Sequence, residues 1–62
     1  LLMRILRVQT AISTMQTAPE IRLIELAGDL GYSDQAHMNR EFRLLTGHTP
    51  FEYRTALIQH AR

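Results

Sequence analysis

A short break, Gly31-Tyr32-Ser33-Asp34, separates two stretches that each carry a single apolar edge. Upstream, Leu23, Leu26, Ala27 and Leu30 recur at helical spacing; downstream, Met38, Phe42 and Leu45 do the same, with Gln35 at their flank. Gly31 suits the end of the first stretch, because a left-handed backbone costs glycine least. Ser33 suits the N-cap of the second, with Asp34 favourable in its first turn. Two helices joined by about three residues, with glycine in the turn, form the helix-turn-helix pattern. The small Ala27 near their crossing would let them approach closely.

The rest of the chain limits what can surround this pair. Its 62 residues allow one small domain, near the lower size at which a core holds together. Cysteine is absent, so neither a disulfide framework nor a Cys-based zinc site can staple it. With two Pro, three Gly and a single valine, punctuation is sparse and strands have little support. The expected class is all-α.

Residues 1–16 read as a first helix, in which Leu1, Ile5, Val8, Ile12 and Met15 form one stripe with Ala11 beside it. Leu2, Met3 and Leu6 fall off that stripe, where a solvated helix would be polar. No other segment of the chain is large enough to cover them, which predicts a neighbour before residue 1. The absence of an initiator Met fits a piece of a longer protein. Frayed terminal leucines or a dimer contact are the alternatives. Leu1-Leu2-Met3-Arg4 is too short an apolar run for a signal peptide or a membrane span.

Thr17-Ala18-Pro19-Glu20 has the form of a capping box with Pro in the first turn, predicting a second helix from about Pro19 to Leu30. Ile21 and Ile24 are expected to meet the first helix, with Arg22, Glu25 and Asp29 outside. The third helix is expected from about Asp34 to Thr46, stopped by Gly47. Thr49-Pro50-Phe51-Glu52 supplies an N-cap, Pro at the first position and Glu at the third, so a last helix should run from about Pro50 to Gln59. Phe51, Ala56 and Leu57, with Tyr53 and Ile58, are placed facing inward.

Catalytic chemistry has little to work with, and the chain reads as a non-enzyme without a cofactor or metal. His37, His48 and His60 are scattered without a metal-binding spacing. Ser33 and His37 stand one turn apart, a spacing that a capping serine and a flanking histidine explain.

The exposed side of the third helix offers more. Ala36 allows close approach or contact with a thymine methyl. Gln35 and Asn39 carry the amide that pairs with adenine, and Arg40 can fork onto guanine. Arg43 would reach phosphate, and the N–H groups at the helix start Thr49, Pro50 and Phe51 offer a second phosphate clamp. A net charge of +1, from seven Arg against six acids, argues against a strongly basic nucleic-acid binder. Periodicity alone leaves two other readings open. Asn39, Arg40 and Arg43 could be a solvated face with Asp34 and Glu41 as surface partners, or the exposed helix could meet a protein in a helical interaction module.

The run Leu23-x-x-Leu26-Ala27-x-x-Leu30-Gly31-Tyr32-Ser33-Asp34-Gln35-Ala36-His37-Met38-x-Arg40-x-Phe42-Arg43, followed by Gly47-x-Thr49-Pro50-x-x-Tyr53-Arg54, resembles the signature of AraC/XylS-type transcriptional regulators. Arg7-x-x-x-Ala11 looks like that family's linker helix. The resemblance implies a linker helix over 1–16 and the second helix-turn-helix subdomain, a homeodomain-like three-helix unit, over 17–62. It also implies a preceding helix-turn-helix subdomain and a separate effector or dimerisation domain.

By the same resemblance Gln35, Ala36, Asn39 and Arg40 fall in base-reading slots, Arg43 and the Thr49-Pro50 helix start in backbone-contacting slots, and Tyr53 and Arg54 in structural ones. Met38 stands where the family often has Phe, Leu44 where it is often basic, and Ala36 removes a polar reader. Double-stranded promoter DNA is the implied partner, in a cytoplasmic bacterial protein, with RNA polymerase a candidate further partner and no membrane.

Overall fold

Residues 2–60 are described by a computed structural model, and among them lie four helices and no strand. These are α1 (Leu2–Thr17), α2 (Leu23–Asp29), α3 (Gln35–Thr46) and α4 (Pro50–His60). Helix α3 is the hub, packing against each of the other three. Its Met38 and Phe42 are completely buried and meet Val8, Ala11 and Met15 of α1 and Leu23, Leu26 and Ala27 of α2 in one core. Tyr53 and Leu57 close that core from α4, with the Tyr53 ring edge-on to Phe42 at 5.6 Å. The stripe expected on α1 is therefore the buried one, although Ile5 lies at its rim and Leu1 falls outside the described residues. Leu45 is likewise at a rim rather than in the core.

The break between α1 and α2 differs from the capping-box expectation. Thr17 stays in the last turn of α1, where its hydroxyl donates to the carbonyls of Ser13 and Thr14. Ala18 still donates to the Thr14 carbonyl, and Ile21 then closes a turn onto the Ala18 carbonyl. Pro19 takes the second position of that turn, which its fixed φ favours. Helix α2 consequently begins at Leu23 instead of Pro19, with Arg22 as an N-cap that has no side-chain cap bond. Arg54 of α4 covers this junction by donating to the Ile21 carbonyl at 2.6 Å, which bears out a structural role for it. Ile21 packs against the core, whereas Ile24, expected against α1, is 61% exposed.

The other two breaks follow the sequence closely. At the end of α2, Gly31 is left-handed (φ +83°), Tyr32 N–H donates to the Ala27 carbonyl, and Gly31 N–H donates to that of Gly28. This is the Schellman arrangement, and it delivers Tyr32 into the core at its C-terminal side. Gly47 ends α3 with the same φ and one bond to the Arg43 carbonyl. Helix α4 starts with the expected reciprocal box, Thr49 N–H to Glu52 and Glu52 N–H to the Thr49 hydroxyl. Its inward face is narrower than expected: Phe51, Ala56 and Ile58 are exposed.

Two glycines three residues apart should respond to alanine in opposite directions. Gly28 is helical with nothing within 4 Å of an added Cβ, so Gly28→Ala should stabilise by about 0.5–1 kcal/mol. Gly31→Ala, forced into a left-handed conformation, should destabilise by about 1–2 kcal/mol. Urea midpoints of the two variants against the parent check the sign of each.

Candidate nucleic-acid interface

Helix α3 presents one edge away from the core. Ala36, Arg40 and Arg43 are exposed along it, and Gln35 and Asn39 are half-buried at its margin. Asp34 starts the helix: its extended backbone and its carboxylate, which accepts from the His37 N–H at 2.7 Å, make it the N-cap. Ser33 was the expected cap. Its hydroxyl instead lies 3.2 Å from His37 Nδ1, and the His37 ring stands edge-on to Tyr32 at 5.1 Å. The serine loses the cap because the longer Asp34 carboxylate, one residue closer, reaches the free amide directly.

The alternative in which Asp34 and Glu41 serve as surface partners of the arginines is not realised. Asp34 is engaged in capping, and Glu41 is turned to α1, where Arg7 takes both of its oxygens. Among the described residues, no hydrogen bond or ion pair engages the side chain of Gln35, Asn39, Arg40 or Arg43. The edge thus combines two amides and two free guanidiniums around a small residue. That is the donor and acceptor set that base edges and phosphates require.

The second expected clamp is smaller than the sequence suggested. Thr49 N–H is taken by the Glu52 carboxylate at 2.9 Å. Pro50 has no N–H, and its side chain is fully buried. Phe51 keeps its N–H at the first turn of α4, and its ring is 61% exposed beneath the Arg54 guanidinium, 6.0 Å from the ring centroid. The Thr49 amide holds the Glu52 carboxyl below the usual range despite some burial, with the Thr49 hydroxyl, His48 and Arg43 adding to the effect. The carboxylate that caps this helix start also places a negative charge beside it.

What the sequence did not disclose is how α3 is held. Glu41, on the side of α3 facing α1, is 6% exposed. Arg7 of α1 grips it in a fork: Nη2 lies 2.8 Å from Oε1 and 3.2 Å from Oε2, and Nε lies 3.2 Å from Oε2. The same guanidinium sits 5.0 Å from the centre of the Tyr32 ring. Burial alone would raise the Glu41 carboxyl, but the Arg7 hydrogen bonds, the Tyr32 hydroxyl and neighbouring positive charge hold it below the ordinary range. The Tyr32 hydroxyl is buried, with no partner in bonding geometry among the described residues. Burial and then the Glu41 carboxylate push this phenol up to about 12, against the pull of Arg7. No local signal marks this pair, whose members are 34 residues apart.

Ser33, His37 and Glu41 stand in a row on successive turns, but both Glu41 oxygens are committed to Arg7. Among the described residues no three His, Cys, Asp or Glu side chains gather as metal ligands, and no helix is long and apolar enough to cross a membrane.

Four helices, a glycine-ended turn between α2 and α3, and an uncommitted polar edge on α3 define a helix-turn-helix domain. A family profile described as a helix-turn-helix domain, of the AraC type, matches residues 2–56. The chain belongs to that family of DNA-binding domains. No curated protein and no solved structure matches it.

The Arg7–Glu41 fork makes a pH-dependent contribution to stability. Because the folded-state pKa of Glu41 is lowered, that contribution is complete above the unfolded carboxyl value and is lost as pH falls through the folded one. Glu41→Gln should therefore melt lower than the parent at neutral pH and converge on it in acid. Thermal melts by circular dichroism across that pH range measure the convergence.

Proposed function

We propose that this chain is the sequence-specific DNA-reading half-unit of a bacterial, cytoplasmic transcriptional regulator. In this reading α3 lies in the major groove of promoter DNA, with Gln35, Ala36, Asn39 and Arg40 facing base edges and Arg43 on a phosphate. The observation that carries it is the state of that edge: two amides and two guanidiniums with no internal partner among the described residues, on a helix anchored to α1 through Glu41. At the start of α4 the contact narrows to the Phe51 N–H, with Thr49 and Pro50 fixing the turn that presents it. Affinity would come mainly from phosphates and would fall steeply with salt.

The exposed apolar end of α1 supports a domain division. Leu2 is 69%, Met3 64% and Leu6 46% exposed, on a helix whose other half is ordinary. We read this end of α1 as the seat of a preceding helix-turn-helix subdomain, with 1–16 as the linker helix and 17–62 as the second subdomain. An effector or dimerisation domain and RNA polymerase are the further partners of such a regulator. The competing reading, a protein-interaction module, draws on Ile24, Leu44 and Phe51, each more than 60% exposed. A module of that kind would bind through a contact insensitive to salt.

Arg40→Ala and Arg43→Ala separate these readings in the full-length protein. Arg40→Ala should relax preference at one base position, costing about 1–3 kcal/mol of discrimination there. Arg43→Ala should weaken all sequences alike and reduce the salt slope by about one. Selection from a random duplex pool, followed by titration of the selected duplex over several salt concentrations, measures both. Unchanged preference and unchanged slope in both variants would sink the assignment.

A further inference from the structure

Beside the reading edge, α1 and α3 enclose an open cleft of about 180 Å³ lined by Arg4, His37, Arg40, Glu41 and Leu44. Its charge differs from that of the whole chain. Arg4 and Arg40 line the cleft together with one carboxylate, that of Glu41, which Arg7 grips from α1. Arg7 uses both oxygens of that carboxylate at 2.8 and 3.2 Å. Arg4 comes no nearer than 3.8 Å through Nε, outside hydrogen-bond distance, and its side chain is 56% exposed. Its guanidinium is therefore neighboured, but not neutralised, by Glu41. Leu44 is 72% exposed on this flank of α3 and brings no charge.

Arg40 belongs to both surfaces, being at once a member of the exposed edge and a wall of the cleft. A duplex whose base edges meet Arg40 has a sugar-phosphate strand bordering the same groove, on the side of α3 from which Arg4 projects. We infer that the Arg4–Arg40 cleft receives one phosphate of that bordering strand, with Arg4 as the anchoring cation contributed by α1. The inference rests on the major-groove reading of α3 and adds to it a contact from outside the helix-turn-helix. The linker helix is then a DNA-contacting element as well as a support. The low net charge is also less of an obstacle, since cations of α1 and α3 line the same cleft.

The test is a salt series with the full-length protein and a duplex enriched from a random-sequence pool, comparing parent, Arg4→Gln, Arg4→Lys and Arg43→Ala. Circular dichroism melts verify that each variant is folded; Arg4 is exposed enough for Gln to be accommodated. Arg4→Gln should lower the magnitude of the slope of log K against log salt by about 0.9, the value of one lost phosphate contact on duplex DNA. It should leave the base preference unchanged, and Arg4→Lys should retain the parent slope. A parent slope in Arg4→Gln while Arg43→Ala flattens it would overturn the cleft and leave the α3 reading standing. Parent slopes in both would overturn the two together. A changed base preference in Arg4→Gln would also contradict the proposal, because a phosphate contact carries no sequence information.

Discussion

The structure depends on one long-range interaction, the fork of Arg7 on Glu41. A carboxylate this well covered would be costly without a partner, and a planar guanidinium supplies two parallel hydrogen bonds that no lysine could. Because the donor is on α1 and the acceptor on α3, the pair fixes rotation and not merely proximity. Rotating α3 about its axis would withdraw Glu41 from Arg7 and turn Met38 and Phe42 out of the core together. The outward edge is thus determined by what the inward edge cannot give up.

That coupling explains why α3 can leave its polar side chains unpaired. Asp34 and Glu41 are the two acids of this stretch, and neither stands three or four residues from Arg40 or Arg43, the spacing at which helix side chains meet. Here one acid caps the helix and the other is turned into the α1–α3 contact. Each local acid has a structural task, and the positive charge of α3 is left facing outward. A chain with net charge of only +1 can in this way present a cationic surface where it matters.

Features governed by neighbours in sequence were legible before any coordinates. The glycine stops at Gly31 and Gly47, the Thr49–Glu52 box and the Met38/Phe42 edge are all set within one or two turns, and they appear as read. Local signals failed where two of them competed. Thr17 and Glu20 spell a capping box, but Thr17 was already satisfied by the carbonyls of α1, and Pro19 was better used in a turn. Ser33 and Asp34 competed for one amide, and the carboxylate prevailed. Ile24, Phe51 and Ile58 were placed by hydrophobicity alone, and a core this small has no room for them. The Arg7–Glu41 pair was not legible, since Glu41 sits in a polar run where a surface acid is the ordinary expectation. On the candidate interface, periodicity alone put Ala36, Asn39, Arg40 and Arg43 on one outward side and Gln35 at the flank of the apolar edge, whereas their lack of internal partners among the described residues required the fold.

The central claim is that the outward edge of α3, from Gln35 to Arg43, is the DNA surface. Backbone and arginine side-chain resonances of the labelled protein, followed while duplex DNA is added, test it most directly. The largest shifts should fall on Gln35, Ala36, Asn39, Arg40 and Arg43, with the Phe51 amide beside them and the Met38/Phe42 core unmoved. Shifts confined to Ile24 or the exposed part of α4 around Ile58, with the α3 edge unchanged, would contradict the account.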